Sequence, residues 1–73
     1  GVKTPEEAVL SKDENILYVV SFDLSEVFVY DAVTLEKQSV TYKTGNKPIG
    51  VMPVGNKLYV SNYGDNSISI ISK

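Results

Sequence analysis

With 73 residues, nine carboxylates against seven lysines, no arginine and a net charge of −2, the chain has no basic footprint for a phosphate backbone, and nucleic acid is not an expected partner. It holds no Cys and no His, so disulfides, thiolate chemistry, the usual zinc ligand sets and any histidine-dependent triad are excluded from this segment. No apolar run approaches the roughly 20 residues of a spanning helix, so no membrane span is expected, and neither is a cofactor or a metal.

Taken in order, the sequence reads as short strands separated by turn chemistry. Thr4-Pro5-Glu6-Glu7 has the form of a helix start, with a Thr cap, Pro at the first helical position and a Glu placed to complete a capping box. Such a helix would have only about two turns before the polar cluster Ser11 to Asn15, too few to stand alone. Glu7 to Leu10 is therefore read as a first strand and Ser11 to Asn15 as its hairpin turn. Ile16 to Phe22 follows, almost continuously apolar, as expected of a strand covered on both faces. Asp23-Leu24-Ser25 turns the chain into a third strand, Glu26 to Tyr30, and Asp31 to Glu36 is the next loop. Lys37 to Lys43 is a more polar fourth strand whose lysine ends suit a sheet edge. After Gly45-Asn46-Lys47-Pro48 the sequence starts again: Ile49 to Met52, a turn at Pro53 to Asn56, Lys57 to Tyr63, a turn at Gly64 to Asn66, and Ser67 to Ile71.

The restart is a true repeat. Leu17 to Asp31 recurs without a gap as Leu58 to Ser72, 41 positions later, and only Val20/Ser61, Leu24/Asp65 and Phe28/Ser69 change polarity class, so the burial pattern repeats more faithfully than the letters. A period of about 40 to 45 residues built from short strands is the signature of propeller arrays. The fold expected is all-β: four-stranded antiparallel propeller blades, with blade one at about residues 5–43 and an incomplete blade two at about 48–73, some 1.75 blades of one domain. Within a blade the order apolar, strongly apolar, polar matches a first strand on the channel and a fourth on the rim. An 8.0 kDa chain folded compactly exposes about 4,500 Å². Two blades side by side are not expected to reach that, which points to further blades as partners, from a longer parent chain or from three or four copies of this one.

The second copy, through Tyr59-Val60-Ser61-Asn62 and the Gly64-Asp65-Asn66 turn, resembles the YVTN-type β-propeller repeat. The first copy departs from it at Val20-Ser21, at Asp23-Leu24-Ser25 and at Glu14-Asn15. The resemblance implies a ring of six to eight blades in an exported, periplasmic or cell-surface protein, including surface-layer proteins. The function it implies is a non-catalytic scaffold presenting loops to protein or glycan. The alternative it leaves open is a fragment of a lactonase-like propeller enzyme whose catalytic residues lie in other blades; no catalytic residue is read in this segment.

In a propeller, the turn between strands two and three shares a face with the inter-blade loop. That rule gathers Asp23, Ser25, Asp65 and Asn66 with Asn46 and Lys47 as the candidate ligand contacts, and Tyr63 joins them as the aromatic beside the exposed turn. The same residues also serve turn geometry, with Gly64 and Asn66 tolerating positive φ and Asp bonding nearby backbone. Tyr18 and Tyr59 share a repeat position and are read as packing between blades, the hydroxyl reaching a backbone partner. The adjacent pairs Glu6-Glu7 and Asp13-Glu14 point to opposite faces of a strand and are read as solvated charge.

Overall fold

The computed structural model describes residues 5–73, with side chains from Glu7 onward. Seven strands follow one another: β1 (Pro5–Leu10), β2 (Ile16–Ser21), β3 (Glu26–Asp31), β4 (Lys37–Lys43), β5 (Pro48–Val54), β6 (Lys57–Asn62) and β7 (Ser67–Ser72). They form two antiparallel meanders, a four-stranded sheet ordered β1-β2-β3-β4 and a three-stranded sheet ordered β5-β6-β7. Among the described residues there is no helix, and Pro5–Leu10 is extended. Thr4, where the helix-start signature begins, lies outside them.

Element boundaries shift where turn geometry outweighs apolar content. Phe22 and Tyr63 leave their strands and open the turns, while β5 runs on to Val54. The turn expected over Pro53 to Asn56 therefore shrinks to Gly55-Asn56, because Val54 pairs directly with Lys57. Gly55 supplies the positive φ (57°) that a two-residue hairpin needs at its first position.

Register fixes which side chains share a face. In the first sheet Tyr18 pairs with Val29 and Val20 with Val27. In the second, Val51 pairs with Val60 and Leu58 with Ile71. These residues form a single apolar cluster between the sheets, with Val20, Val27, Leu58 and Val60 wholly buried. Each such side chain contributes about 1.5–3 kcal/mol relative to an exposed one. A shift in pairing recurs at the same place in both copies, between Pro5 and Glu7 and between Pro48 and Gly50. Both prolines open an edge strand, where their missing N–H costs no ladder bond.

The two sheets meet by unlike faces. Advanced by the 41-residue repeat, the inward positions Tyr18, Val20, Val27 and Val29 of the first sheet become Tyr59, Ser61, Ile68 and Ile70. Those positions, paired with one another as Tyr59–Ile70 and Ser61–Ile68, lie on the outward face of the second sheet. Conversely Leu58 and Val60, which receive the first sheet, correspond to Leu17 and Val19 on its outward face. The contact is thus head to tail, a heterologous stacking of equivalent modules.

The accessible surface is 4558 Å², so two sheets do reach the area of a compact chain of this size, against the expectation from sequence. The reason lies partly on the outward face of the first sheet, which covers itself. Val19 and Phe28 pair there and are buried at 8% and 9% exposure, with the Lys37 ammonium 4.8 Å above the Phe28 ring. No helix among the described residues is long and apolar enough to cross a membrane.

Candidate functional site

Three loops meet at one end of the two sheets: the β2–β3 turn, the connector from β4 to β5, and the β6–β7 turn. Ser25 and Asn66, one repeat apart, both adopt positive φ (54° and 51°), so the two turns have the same handed kink despite different residues. Thr44 donates its N–H to the Ser25 carbonyl at 3.0 Å and ties the connector to the first turn. On the other side, Gly64 and Tyr63 donate to the carbonyls of Asn46 and Lys47 at 3.0 and 2.9 Å. Lys47 is itself held at φ 53°.

Asp65 completes the tie. Its two carboxylate oxygens accept the backbone N–H and the side-chain amide of Asn46, at 2.8 and 2.9 Å. The partner is 19 residues away, not the nearby backbone expected from Asp in a turn, because stacking of the sheets brings the connector over the β6–β7 turn. Gly64 has no positive φ; its role is close approach, since a Cβ there would lie 3.0 Å from both the Cβ and the carbonyl oxygen of Asn46. Gly45 is tighter still: a Cβ would meet Asp65 Oδ2 at 2.7 Å and Asn62 Nδ2 at 2.8 Å. Asn62 is buried beneath, donating to Ser69 Oγ at 2.8 Å, and its Oδ1 is a buried acceptor with no protein partner.

The structure brings Asp23, Ser25, Asn46 and Lys47 together around one cleft of about 390 Å³, joined there by Phe22 and Gly64. Tyr63 and Asn66 border a separate hollow of about 360 Å³ with Ile49 and Ile68. Asp65 lines neither; it is committed to Asn46. Sequence reasoning missed Phe22 by placing it in a strand. Its signal is the aromatic column Phe22/Tyr63, which follows the second strand directly in both copies.

A larger cleft, about 640 Å³, lies at the other end of the strands between the β1–β2 and β5–β6 hairpins. There the Tyr18 hydroxyl accepts from Lys73 Nζ at 3.3 Å, not from the backbone, and the same ammonium lies 5.4 Å from the ring centroid. Asp13 accepts from the Ser11 hydroxyl and the Asn15 N–H, which holds its carboxyl below the usual range. Asp31 accepts from the Thr34 and Val33 N–H groups, with the same effect.

Chemically, the cleft at the connector combines a carboxylate, a hydroxyl, an amide and an ammonium with one aromatic ring. Its volume falls in the lower part of the range of small-ligand sites. Among the described residues no three of His, Cys, Asp or Glu are gathered as a metal would need. No known protein-family model matches the chain, and no curated protein matches it.

Proposed function

We propose that the chain is a pair of β-propeller blades of YVTN type, residues 5–43 and 48–73, forming a non-catalytic scaffold that presents the connector cleft to a glycan at the cell surface or in an exported compartment. Support for the blade reading comes from the head-to-tail stacking of two meanders related by one 41-residue repeat. Support for the ligand comes from the cleft. Asp23, Ser25 and Asn46 offer acceptors and donors for sugar hydroxyls, Lys47 adds a donor, and Phe22 offers an apolar ring for a sugar face.

The observation that carries the reading is the double tie from Asp65 to Asn46. It holds the connector in one conformation before any ligand arrives, so less ordering entropy is lost on binding.

The test is an amide-shift titration with a panel of neutral and anionic oligosaccharides. Saturable shifts confined to Phe22–Ser25, Asn46–Lys47 and Gly64, and abolished by a Ser25→Ala/Lys47→Ala double variant, are expected. Shifts confined to the opposite end of the strands, or none with any member of the panel, would overturn it.

A further inference from the structure

We infer that the outward face of the second sheet is the docking surface for the outward face of the first sheet of a second copy of this chain, so that copies join head to tail. The inference rests on the blade reading above and adds to it the faces, the occupant and the mode of joining.

The outward face of the second sheet carries Met52, Ile68 and Ile70 at 59%, 68% and 61% exposure, with Tyr59 half-buried among them. Tyr59, Ile68 and Ile70 are the repeat equivalents of Tyr18, Val27 and Val29, and Met52 pairs with Tyr59 as Val9 pairs with Tyr18; these are residues with which the first sheet already packs. The first sheet's outward face, with Leu10 47% exposed, Leu17 half-buried and Val19 and Phe28 already buried at 8% and 9%, is equivalent to the face that receives it. A second copy placed in this way sets β5 and β6 against β1 of the next copy, the equivalents of β1 and β2 against β5 inside the chain, but with no counterpart of β4, whose Tyr42 packs on the cluster inside the chain.

Two of the three columns that break the repeat lie on these faces, Val20/Ser61 and Phe28/Ser69. Inside the chain, the face carrying Val20 meets the face carrying Ser69; between copies, the face carrying Ser61 would meet the face carrying Phe28. A hollow of about 380 Å³ beside Gly50 and Ser61 gives Phe28 of a second copy room to enter. Lys37, which lies over Phe28 in the single chain, swings aside.

One bond is not reproduced. Glu7, which pairs with Val20, bonds the second sheet inside the chain, and Gly50, which pairs with the equivalent Ser61, takes its place in the second sheet, so the junction between copies is the weaker of the two. Because the two faces differ, the joining is heterologous: copies close into a ring if the rotation per copy closes, and otherwise form an open series.

Sedimentation across about a hundredfold range of concentration tests this. The mass of the wild-type chain should rise above 8.0 kDa. Ile70→Lys blocks one face and Leu17→Lys the other. Each variant alone should stay a single chain, with its association weakened about tenfold or more. Their equimolar mixture should give a one-to-one dimer and nothing larger, because each retains the face its partner needs. Leu10→Lys, at an exposed position of the same outward face as Leu17, replaces Leu17→Lys if that variant loses its dispersed amide spectrum. A wild-type chain that stays single throughout, a blocked variant that still pairs with itself, or a mixture that fails to associate would each overturn the inference while leaving the cleft titration to judge the glycan reading. A discrete closed species supports both joining and the propeller. An unbounded ladder of sizes supports joining and removes the closed ring.

Discussion

The carboxylate of Glu7 accepts the backbone N–H of Val51 at 3.0 Å, across 44 positions of sequence and from one sheet to the other. Val51 sits on β5, an edge strand, where backbone groups not used by the ladder need another partner. A Cβ at Gly50 would stand 3.6 Å from Glu7 Oε1, an ordinary contact, so the bond itself does not demand glycine there; the tighter neighbour is Ser61 Oγ at 3.3 Å. Glu7→Ala should cost about 1 kcal/mol, below the range for a bond to a charged group because the carboxylate is exposed. Glu7→Gln should retain most of it. Urea midpoints of the three proteins check this, and equal losses for Ala and Gln would contradict it.

Asp65→Ala removes both bonds to Asn46. The pair is exposed, so global stability should fall by less than about 1 kcal/mol. The local effect should be larger: hydrogen exchange at the Asn46 and Gly64 amides should speed up well before that of β6. Unchanged exchange at both amides would show that the backbone bonds alone hold the connector.

The glycines should rank by what a Cβ meets. Gly45→Ala drives a methyl into Asp65 and Asn62 at under 3 Å and should cost about 2 kcal/mol. Gly55→Ala meets nothing within 4 Å but is held at φ 57°, a strain of about 1 kcal/mol. Thermal melts that reverse the order would place the strain in the hairpin instead of the connector.

Leu35 is held at φ 63° with 65% of its surface exposed, so it bears left-handed strain with little packing in return. Leu35→Gly should stabilise the fold by about 0.5 kcal/mol, relieved strain outweighing the added entropy of the unfolded chain. Chemical denaturation of the two proteins side by side reads the sign.

The Asp31 carboxyl is held below its usual range by the Thr34 and Val33 N–H groups, and Asp13 is lowered likewise. A group whose folded pKa is depressed contributes stability above its unfolded pKa and loses it as pH falls through the folded value. Stability should therefore drop on acidification below the ordinary carboxylate value of 3.8, and the drop should be shallower in Asp31→Ala. Urea titrations from neutral to strongly acidic pH give the slopes; parallel acid limbs would remove Asp31 from the account.

Strand content was legible because it is local. Leu17 to Asp31 and Leu58 to Ser72 show their apolar columns without any knowledge of neighbours, and a period of two assigns each residue to a face. The connector residues were legible as a group, since one topological rule sends the β2–β3 turn and the inter-sheet loop to the same end. Their division was not: Asp23, Ser25, Asn46 and Lys47 share a cleft, Tyr63 and Asn66 border another, and Asp65 serves as a brace.

By itself the sequence determined seven strands, the order of the turns between them and the repeat that relates them, because alternation and turn chemistry act over a few residues; it did not determine the turn boundaries at Phe22, Tyr63 and Val54. Only the tertiary structure decided that Gly64 is needed for closeness and not for φ, that Tyr18 meets Lys73, that Glu7 reaches Val51, and that the sheets meet by unlike faces. Each of these depends on how two twisted sheets approach one another. That approach is set by the packing of Val20, Val27, Leu58 and Val60 across the gap, a relation between distant positions that no local pattern encodes.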